Sequence, residues 1–157
     1  MTSIARSALV AHPAERLFAL VADIPRYPQF LPWCRGAVVE AREGAIVQAT
    51  IEIDFLGMRQ SFTTRNAERP PVSAPTAEGA RLGGIDMTLV RGPFRTLAGV
   101  WEFAPLTPTD SRVALSLDYE FANGFLERIA GPAFAKIADT LVESFIQEAD
   151  RIASDRR

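Results

Sequence analysis

Residues 126–152 carry the sequence LERIAGPAFAKIADTLVESFIQEADRI, in which apolar side chains recur at steps of three and four. That period places them on one face of a helix. The stripe consists of Leu126, Ile129, Ala130, Phe134, Ile137, Leu141, Phe145 and Ile152. The spacing predicts a helix far longer than the mean of about 11–12 residues, with a kink or a new start at Gly131-Pro132. An apolar stripe of this length needs an equally long surface to cover it.

The middle of the chain supplies a surface of that kind. Between residues 36 and 121 apolar and polar residues alternate with a period close to two, which is typical of antiparallel strands with one buried face. The alternation is clearest at residues 47–55, 58–65, 85–89, 97–103 and 113–121. Glycines at 83, 84, 92 and 99 allow such a sheet to curve sharply. We therefore expect a curved antiparallel sheet that wraps around the terminal helix.

The first third of the chain completes the predicted fold. A strand is expected at residues 2–10 and a helix at 13–23, followed by an apolar segment at 27–34 whose prolines forbid a long helix or a central strand. Residues 70–81 have the composition of a loop. The order of strand, helix, many strands and long helix predicts one α+β domain over residues 1–157.

Composition excludes several chemistries. The chain has 157 residues, 48% of them apolar and 23% charged, with a net charge of −2, as expected of an ordinary globular domain. With one histidine (His12) and one cysteine (Cys34) it cannot build a Cys/His zinc site. A nucleophilic pair would require those two residues to meet. We predict no catalytic residue, no metal and no required cofactor, and the pI near 5.5 does not favour DNA binding.

The expected location follows from what the sequence lacks. The chain starts without a signal-peptide pattern, and no apolar stretch reaches the length of a membrane span. A single cysteine fits a reducing compartment. We expect a cytoplasmic protein, with peripheral contact to the inner membrane left open.

The aromatic residues suggest a ligand site. Ten phenylalanines stand against two tyrosines and two tryptophans, and a phenylalanine needs no polar partner when it is buried. A cavity lined in this way would favour a long apolar ligand, since each buried CH₂ contributes about 0.8 kcal/mol. The alternative is that these rings simply fill a closed core.

Several motifs carry a family resemblance. Residues 27–34 are YPQFLPWC, and FTTRN at 62–66, GPFR at 92–95 and DYEF at 118–121 follow in order. These motifs resemble the coenzyme Q-binding START-domain family, which is polyketide cyclase-like and whose bacterial branch includes the ribosome-association toxin. The resemblance implies a helix-grip fold around a hydrophobic tunnel. It also implies binding of ubiquinone or a related polyprenyl lipid in support of respiration.

On this basis we predict a non-enzymatic carrier or chaperone of ubiquinone or a similar lipid. The lipid tail would lie between helix residues and sheet residues, and a proline-rich segment and a turn would form the mouth. The predicted helix contacts are Phe134, Ile137, Leu141 and Phe145, the sheet contacts are Trp101, Phe103, Leu115 and Leu117, and the mouth residues are Phe30, Leu31, Trp33 and Phe94.

Two alternatives remain from the sequence. A translation inhibitor that binds the large ribosomal subunit would place exposed arginines such as Arg59, Arg65 and Arg95 on RNA phosphates, and its association would weaken with salt. A polyketide aromatase or cyclase is the weaker alternative, because the sequence offers no convincing acid–base pair.

Overall fold

The computed structural model describes residues 1–74 and 78–155. These residues form strands, three α-helices and one 3₁₀ turn. In chain order the elements are β1 (Thr2–Val10), α1 (Ala14–Ala22), the 3₁₀ turn (Ile24–Arg26), α2 (Tyr27–Phe30), β2 (Cys34–Glu43), β3 (Ile46–Phe55), β4 (Met58–Arg69), β5 (Gly83–Arg91), β6 (Phe94–Pro105), β7 (Ser111–Phe121) and α3 (Gly124–Asp155).

The strands form one antiparallel sheet in the order β1-β7-β6-β5-β4-β3-β2. The sheet is curved, and α3 packs against β7, β1 and β4. Inward side chains such as Phe103, Val113 and Leu115 are almost fully buried, whereas their neighbours along the strands face solvent. The predicted α+β helix-grip architecture is confirmed.

Helix α3 spans 32 residues without interruption. Asn123 begins it, because its Oδ1 accepts a hydrogen bond of 2.8 Å from the backbone N–H of Leu126. Of the two alternatives expected at Gly131-Pro132, a new start does not occur, since the helix continues through Pro132, and a kink stays a prediction. Proline lacks an N–H and so removes one backbone hydrogen bond, but the packing of Ala130, Ala133 and Phe134 against the core holds the two halves in one helix.

Strand β2 does not show a clear alternation of apolar and polar residues in the sequence. Its pairing with β3 shifts register between Cys34 and Gly36 and again between Val39 and Ala41. Each irregularity inserts a residue and moves the following side chains to the opposite face. The period of two is therefore lost in the sequence, although the strand is ten residues long.

The proline-rich segment before β2 forms the 3₁₀ turn and the four-residue helix α2, in agreement with the prediction of no long helix or central strand. Tyr27, Leu31 and Trp33 of this segment are buried. The loop predicted at 70–81 includes residues 75–77, which lie outside the described residues. On either side of them, Val72 and Arg81 pair as an isolated antiparallel bridge.

Candidate functional site

A cavity lies between α3 and the concave face of the sheet. It offers about 80 Å³ of space to the centres of water-sized molecules. The residues around it come from the proline-rich segment, from β3 to β7 and from α3. They are Ile24, Tyr27, Trp33, Ala49, Ile51, Ile53, Phe62, Thr64, Asn66, Met87, Leu97, Trp101, Leu117, Phe134, Ile137, Ala138, Leu141 and Phe145.

The periodicities of helix and strand explain why these residues meet. On α3 the cavity residues begin at Phe134 and recur at helical steps of three and four, so they share one face. On β3 they are Ala49, Ile51 and Ile53, which alternate with residues on the outer face. The cavity therefore lies where the apolar stripe of the helix crosses the inward face of the sheet.

The cavity is narrow. Pockets that hold small-molecule ligands usually have volumes of about 300–1,000 Å³, whereas a single water needs roughly 10–15 Å³ of such space. In this conformation the cavity has room for a few water-sized groups. A polyprenyl tail would need the walls to move apart. Ile51, Phe62, Met87 and Leu141 are the wall residues that are only partly buried.

Polar groups at the cavity are few. Thr64 donates a hydrogen bond of 2.8 Å from Oγ1 to Oδ1 of Asn66, and both residues are buried. The hydroxyl of Tyr27 donates to the backbone carbonyl of Val21, and burial raises the pKa of this phenol. The indole Nε1 of Trp33 is buried without a hydrogen-bond partner among the described residues. No carboxylate or cationic side chain lines the cavity in the described part of the chain.

The structure places seven of the predicted contact residues on the cavity wall. These are Trp33, Trp101, Leu117, Phe134, Ile137, Leu141 and Phe145. Whether they contact a ligand stays a prediction. The other five, Phe30, Leu31, Phe94, Phe103 and Leu115, do not line the cavity.

The five residues off the wall are used for packing instead. Phe103 is fully buried, meets Phe18 of α1 edge-on with ring centroids 5.6 Å apart, and so lies beneath α1. Phe94 is also buried, against Phe121 at 4.9 Å and Phe134 at 5.1 Å. Leu31 is fully buried. The proposed mouth therefore needs correction, since neither Leu31 nor Phe94 faces solvent at an opening.

The sequence did not predict as ligand contacts the cavity residues on β3, β4 and β5, which are Ala49, Ile51, Ile53, Phe62, Thr64, Asn66 and Met87. Phe62 and Thr64 were recognised as one face of a strand, and Ile51 and Ile53 as another. Alternation identifies an inward face, but it does not say which inward residues border a void and which fill the core. Asn66 ends the FTTRN motif of the family resemblance, but nothing in the sequence predicted it at the cavity, because a polar residue near the end of a strand pattern ordinarily faces solvent.

His12 and Cys34 do not form a pair. Nε2 of His12 lies 2.6 Å from Oδ1 of Asp150, and its Nδ1 lies 2.8 Å from a guanidinium nitrogen of Arg16. The thiol of Cys34 donates to the carbonyl of Gly36 at 3.4 Å, and burial raises its pKa to about 11. Cys34 is therefore a neutral thiol at physiological pH, while His12 ties the start of α1 to α3.

The three arginines considered for RNA binding are all exposed. Arg59 lies 3.5 Å from a carboxylate oxygen of Asp54, and Arg95 donates to the carbonyl of Ala122 at 3.5 Å. Arg59 and Arg65 occupy the outer face of β4, six residues apart and so about 20 Å from each other. They form a sparse row rather than a dense basic patch.

The described residues offer neither a helix that could cross a membrane nor a cluster of metal ligands. None of the helices combines the length and the hydropathy that crossing a bilayer requires. No group of three or more histidine, cysteine, aspartate or glutamate side chains is arranged to hold a metal ion.

A curved antiparallel sheet gripping a long C-terminal helix, with an apolar cavity between them, defines the START-like class of fold. The chain belongs to the family described as polyketide cyclase/dehydrase and lipid transport, whose sequence profile matches residues 10–146.

The relatives of this chain include toxins and a coenzyme Q-binding protein. The chain is 37% identical to the ribosome association toxin RatA of Vibrio cholerae, over 97% of this chain and 98% of the relative. It is 23% identical to the mitochondrial coenzyme Q-binding protein coq10 of Schizosaccharomyces pombe, over 91% of this chain and 84% of the relative.

Solved structures share the fold. A START superfamily protein from Mycobacterium smegmatis superposes with a TM-score of 0.70 and 19% identity, covering 96% of this chain and 98% of its own. The Zhui aromatase/cyclase from Streptomyces sp. R1128 gives a TM-score of 0.71 with 17% identity, covering 96% and 94%. At these identities the likeness concerns the fold alone.

Proposed function

We propose that this protein binds and carries a hydrophobic ligand, ubiquinone or a related polyprenyl lipid, without transforming it. The observation that carries the proposal is the apolar cavity between α3 and the sheet. Burial of several CH₂ groups there, at about 0.8 kcal/mol each, stabilises a complex without specific polar contacts. The coenzyme Q-binding name of the S. pombe relative supports this choice of lipid.

The absence of catalysis is part of the proposal. The polar groups at the cavity are a hydroxyl, an amide, a phenol and an indole, and none of them titrates near neutral pH. Cyclases and dehydratases need a group that takes up or releases a proton at the reacting carbon. A cavity with this lining favours binding over acid–base chemistry.

The first test is extraction of lipid from the purified protein, with identification by mass spectrometry. We expect a quinone at a substantial molar ratio and saturable binding of added decylubiquinone. A protein that yields no lipid and does not bind decylubiquinone would contradict the proposal.

A matched pair of variants tests the location of binding. Leu141 lines the cavity and is half-buried, whereas Ile129 lies on the same helix, is 48% exposed and does not line it. Leu141→Glu should abolish decylubiquinone binding, because a buried carboxylate is costly beside an apolar tail. Ile129→Glu should leave binding unchanged, and circular dichroism checks that both variants fold.

Ribosome association is a second candidate, favoured by the RatA relatives. Arg65 is the most suitable of the predicted phosphate contacts, because it is exposed and makes no ion pair among the described residues. Co-sedimentation with large ribosomal subunits across a salt series tests this function. Binding that falls steeply with salt and weakens in Arg65→Gln would support it, and no co-sedimentation at low salt would contradict it.

A further inference from the structure

The cavity wall contains a hydrogen-bonded pair of polar side chains, Thr64 and Asn66, whose hydrogen-bonding groups are not all paired within the protein. Asn66 is 6% exposed and Thr64 is 5% exposed, and both lie on the inward face of β4. A buried amide without partners costs free energy, so its hydrogen-bonding groups are normally paired. An asparagine at this position therefore needs an explanation.

The hydrogen bonds of Asn66 are only half satisfied. Its Oδ1 accepts from Thr64 at 2.8 Å, but no hydrogen bond between described residues uses the two N–H groups of the same amide. The hydroxyl of Thr64 fixes the orientation of the amide by occupying its oxygen. The N–H groups are then the part of the side chain left for an occupant of the cavity.

Trp33 supplies a second free donor on the cavity wall. Nε1 of Trp33, on the same cavity wall, is buried without a partner among the described residues. Trp33 precedes the Cys34–Ile53 pair, whereas Asn66 pairs with Val47. These positions on β3 are six residues apart, so the two donors lie toward opposite ends of that strand.

The surplus of donors indicates the chemistry of the ligand. The free groups are N–H donors, and no charged side chain lines the described cavity wall. Because the two donors lie far apart, each would need its own neutral oxygen acceptor, such as a carbonyl or ether oxygen. A carboxylate head would enter without a cationic partner and would pay the cost of burying a charge.

We infer that Asn66, held by Thr64, is a specificity-determining residue that donates a hydrogen bond to a neutral carbonyl or ether oxygen on the head of the bound lipid. This inference rests on the proposed ligand-binding function and goes beyond it by assigning head-group recognition to one residue. The ligand is then a lipid with an uncharged oxygenated head rather than a fatty acid.

Two probes with equal tails test the inference. Decylubiquinone carries four ring oxygens, and decylbenzene carries none, so the ratio of their affinities reports recognition of the head. We expect Asn66→Leu to weaken decylubiquinone about 3–10-fold, the worth of one neutral hydrogen bond. Its affinity for decylbenzene should stay unchanged or rise. Asn66→Asp removes the same N–H groups with almost no change of shape and should also weaken decylubiquinone.

Met87→Leu is the matched control. Met87 pairs directly with Asn66 across β4 and β5 and lines the same cavity, but it offers no N–H donor. This variant should keep the ratio of the two affinities. Urea denaturation of every variant establishes that each is folded at the temperature of measurement.

The outcomes separate the two proposals. If the wild type binds both probes equally, or if Asn66→Leu and Asn66→Asp leave the affinity ratio unchanged, the assigned role of Asn66 is wrong and ligand binding stands. If the wild type binds neither probe, the proposed function fails, and the role of Asn66 fails with it.

Discussion

The ring of Phe145 on α3 meets the indole of Trp101 on β6 edge-on, with ring centroids 5.5 Å apart and planes at 88°. The same phenylalanine lies edge-on to Tyr27 at 5.4 Å and to Phe30 at 5.5 Å. Helix, sheet and proline-rich segment therefore meet around one ring. Phe145, Trp101 and Tyr27 also line the cavity. The aromatic contacts that hold α3 against the sheet therefore form part of the cavity wall.

Loss of that ring should strongly destabilise the protein. Phe145 is 1% exposed, and truncation of a buried phenylalanine to alanine costs about 3–5 kcal/mol. We expect Phe145→Ala to lower the free energy of unfolding by this amount in urea denaturation. Phe125→Ala is the control on the same helix, since Phe125 is 69% exposed and its loss should change stability by less than about 0.5 kcal/mol. Equal effects of the two changes would contradict the central role of Phe145.

The cavity should tolerate a larger side chain where the core does not. Ala138 and Ala133 are both buried on α3, but only Ala138 lines the cavity. Ala133→Leu should cost about 1–3 kcal/mol through overpacking. Ala138→Leu should cost less, because its added carbons enter free space, and it should block binding of decylubiquinone. Urea denaturation and ligand titration measure the two effects, and an Ala138→Leu variant that binds normally would exclude this cavity as the site.

Stability should fall in acid through Glu148. Its side chain is 3% exposed and accepts hydrogen bonds from Arg151 at 2.7 and 2.8 Å and from Arg26 at 3.0 Å. The bond from Arg151, with the charge of Arg26 added, holds the pKa of this carboxyl below its usual value of 4.5. The unfolded chain therefore takes up a proton at a higher pH than the folded protein does. The contribution to stability is complete above about pH 4.5 and is lost as the pH falls through the folded pKa.

Urea midpoints between pH 3 and 6 test this dependence. Glu148→Gln should lower stability at pH 6 by about 1.5–3 kcal/mol, the worth of hydrogen bonds to a charged group, and should flatten the acid limb of the profile. Glu143→Gln is the matched control, since Glu143 is exposed on the same helix. An acid limb that keeps its slope in Glu148→Gln would assign the effect to other carboxylates.

The cysteine should be unreactive in the folded protein. Burial raises the pKa of Cys34 to about 11, and only the thiolate attacks disulfide reagents. At pH 8 we expect reaction with 5,5′-dithiobis(2-nitrobenzoate) to be slow in buffer and fast in denaturing urea. Rapid stoichiometric reaction of the folded protein would show that the thiol is accessible and ionised.

The sequence alone determined the architecture, because hydrophobic periodicity is local. The three- and four-residue steps from Leu126 to Ile152 required a long helix, and the alternation from Val47 to Phe121 required a sheet with one buried face. The prediction was weaker where local pattern is broken, as in β2, whose register shifts hide its alternation. At Pro132 the sequence left a kink and a new start open, and only the tertiary structure excluded the new start.

Only the tertiary structure decided which inward residues border the cavity. Phe103 and Trp101 have the same alternation on β6, yet Phe103 packs under α1 while Trp101 reaches the void. In the sequence Asn66 is likewise an ordinary polar residue. Only the curved sheet places its side chain on the cavity wall, which it shares with α3. A void is the space left between elements distant in the chain, so its position depends on sheet curvature and helix placement, which no local period encodes.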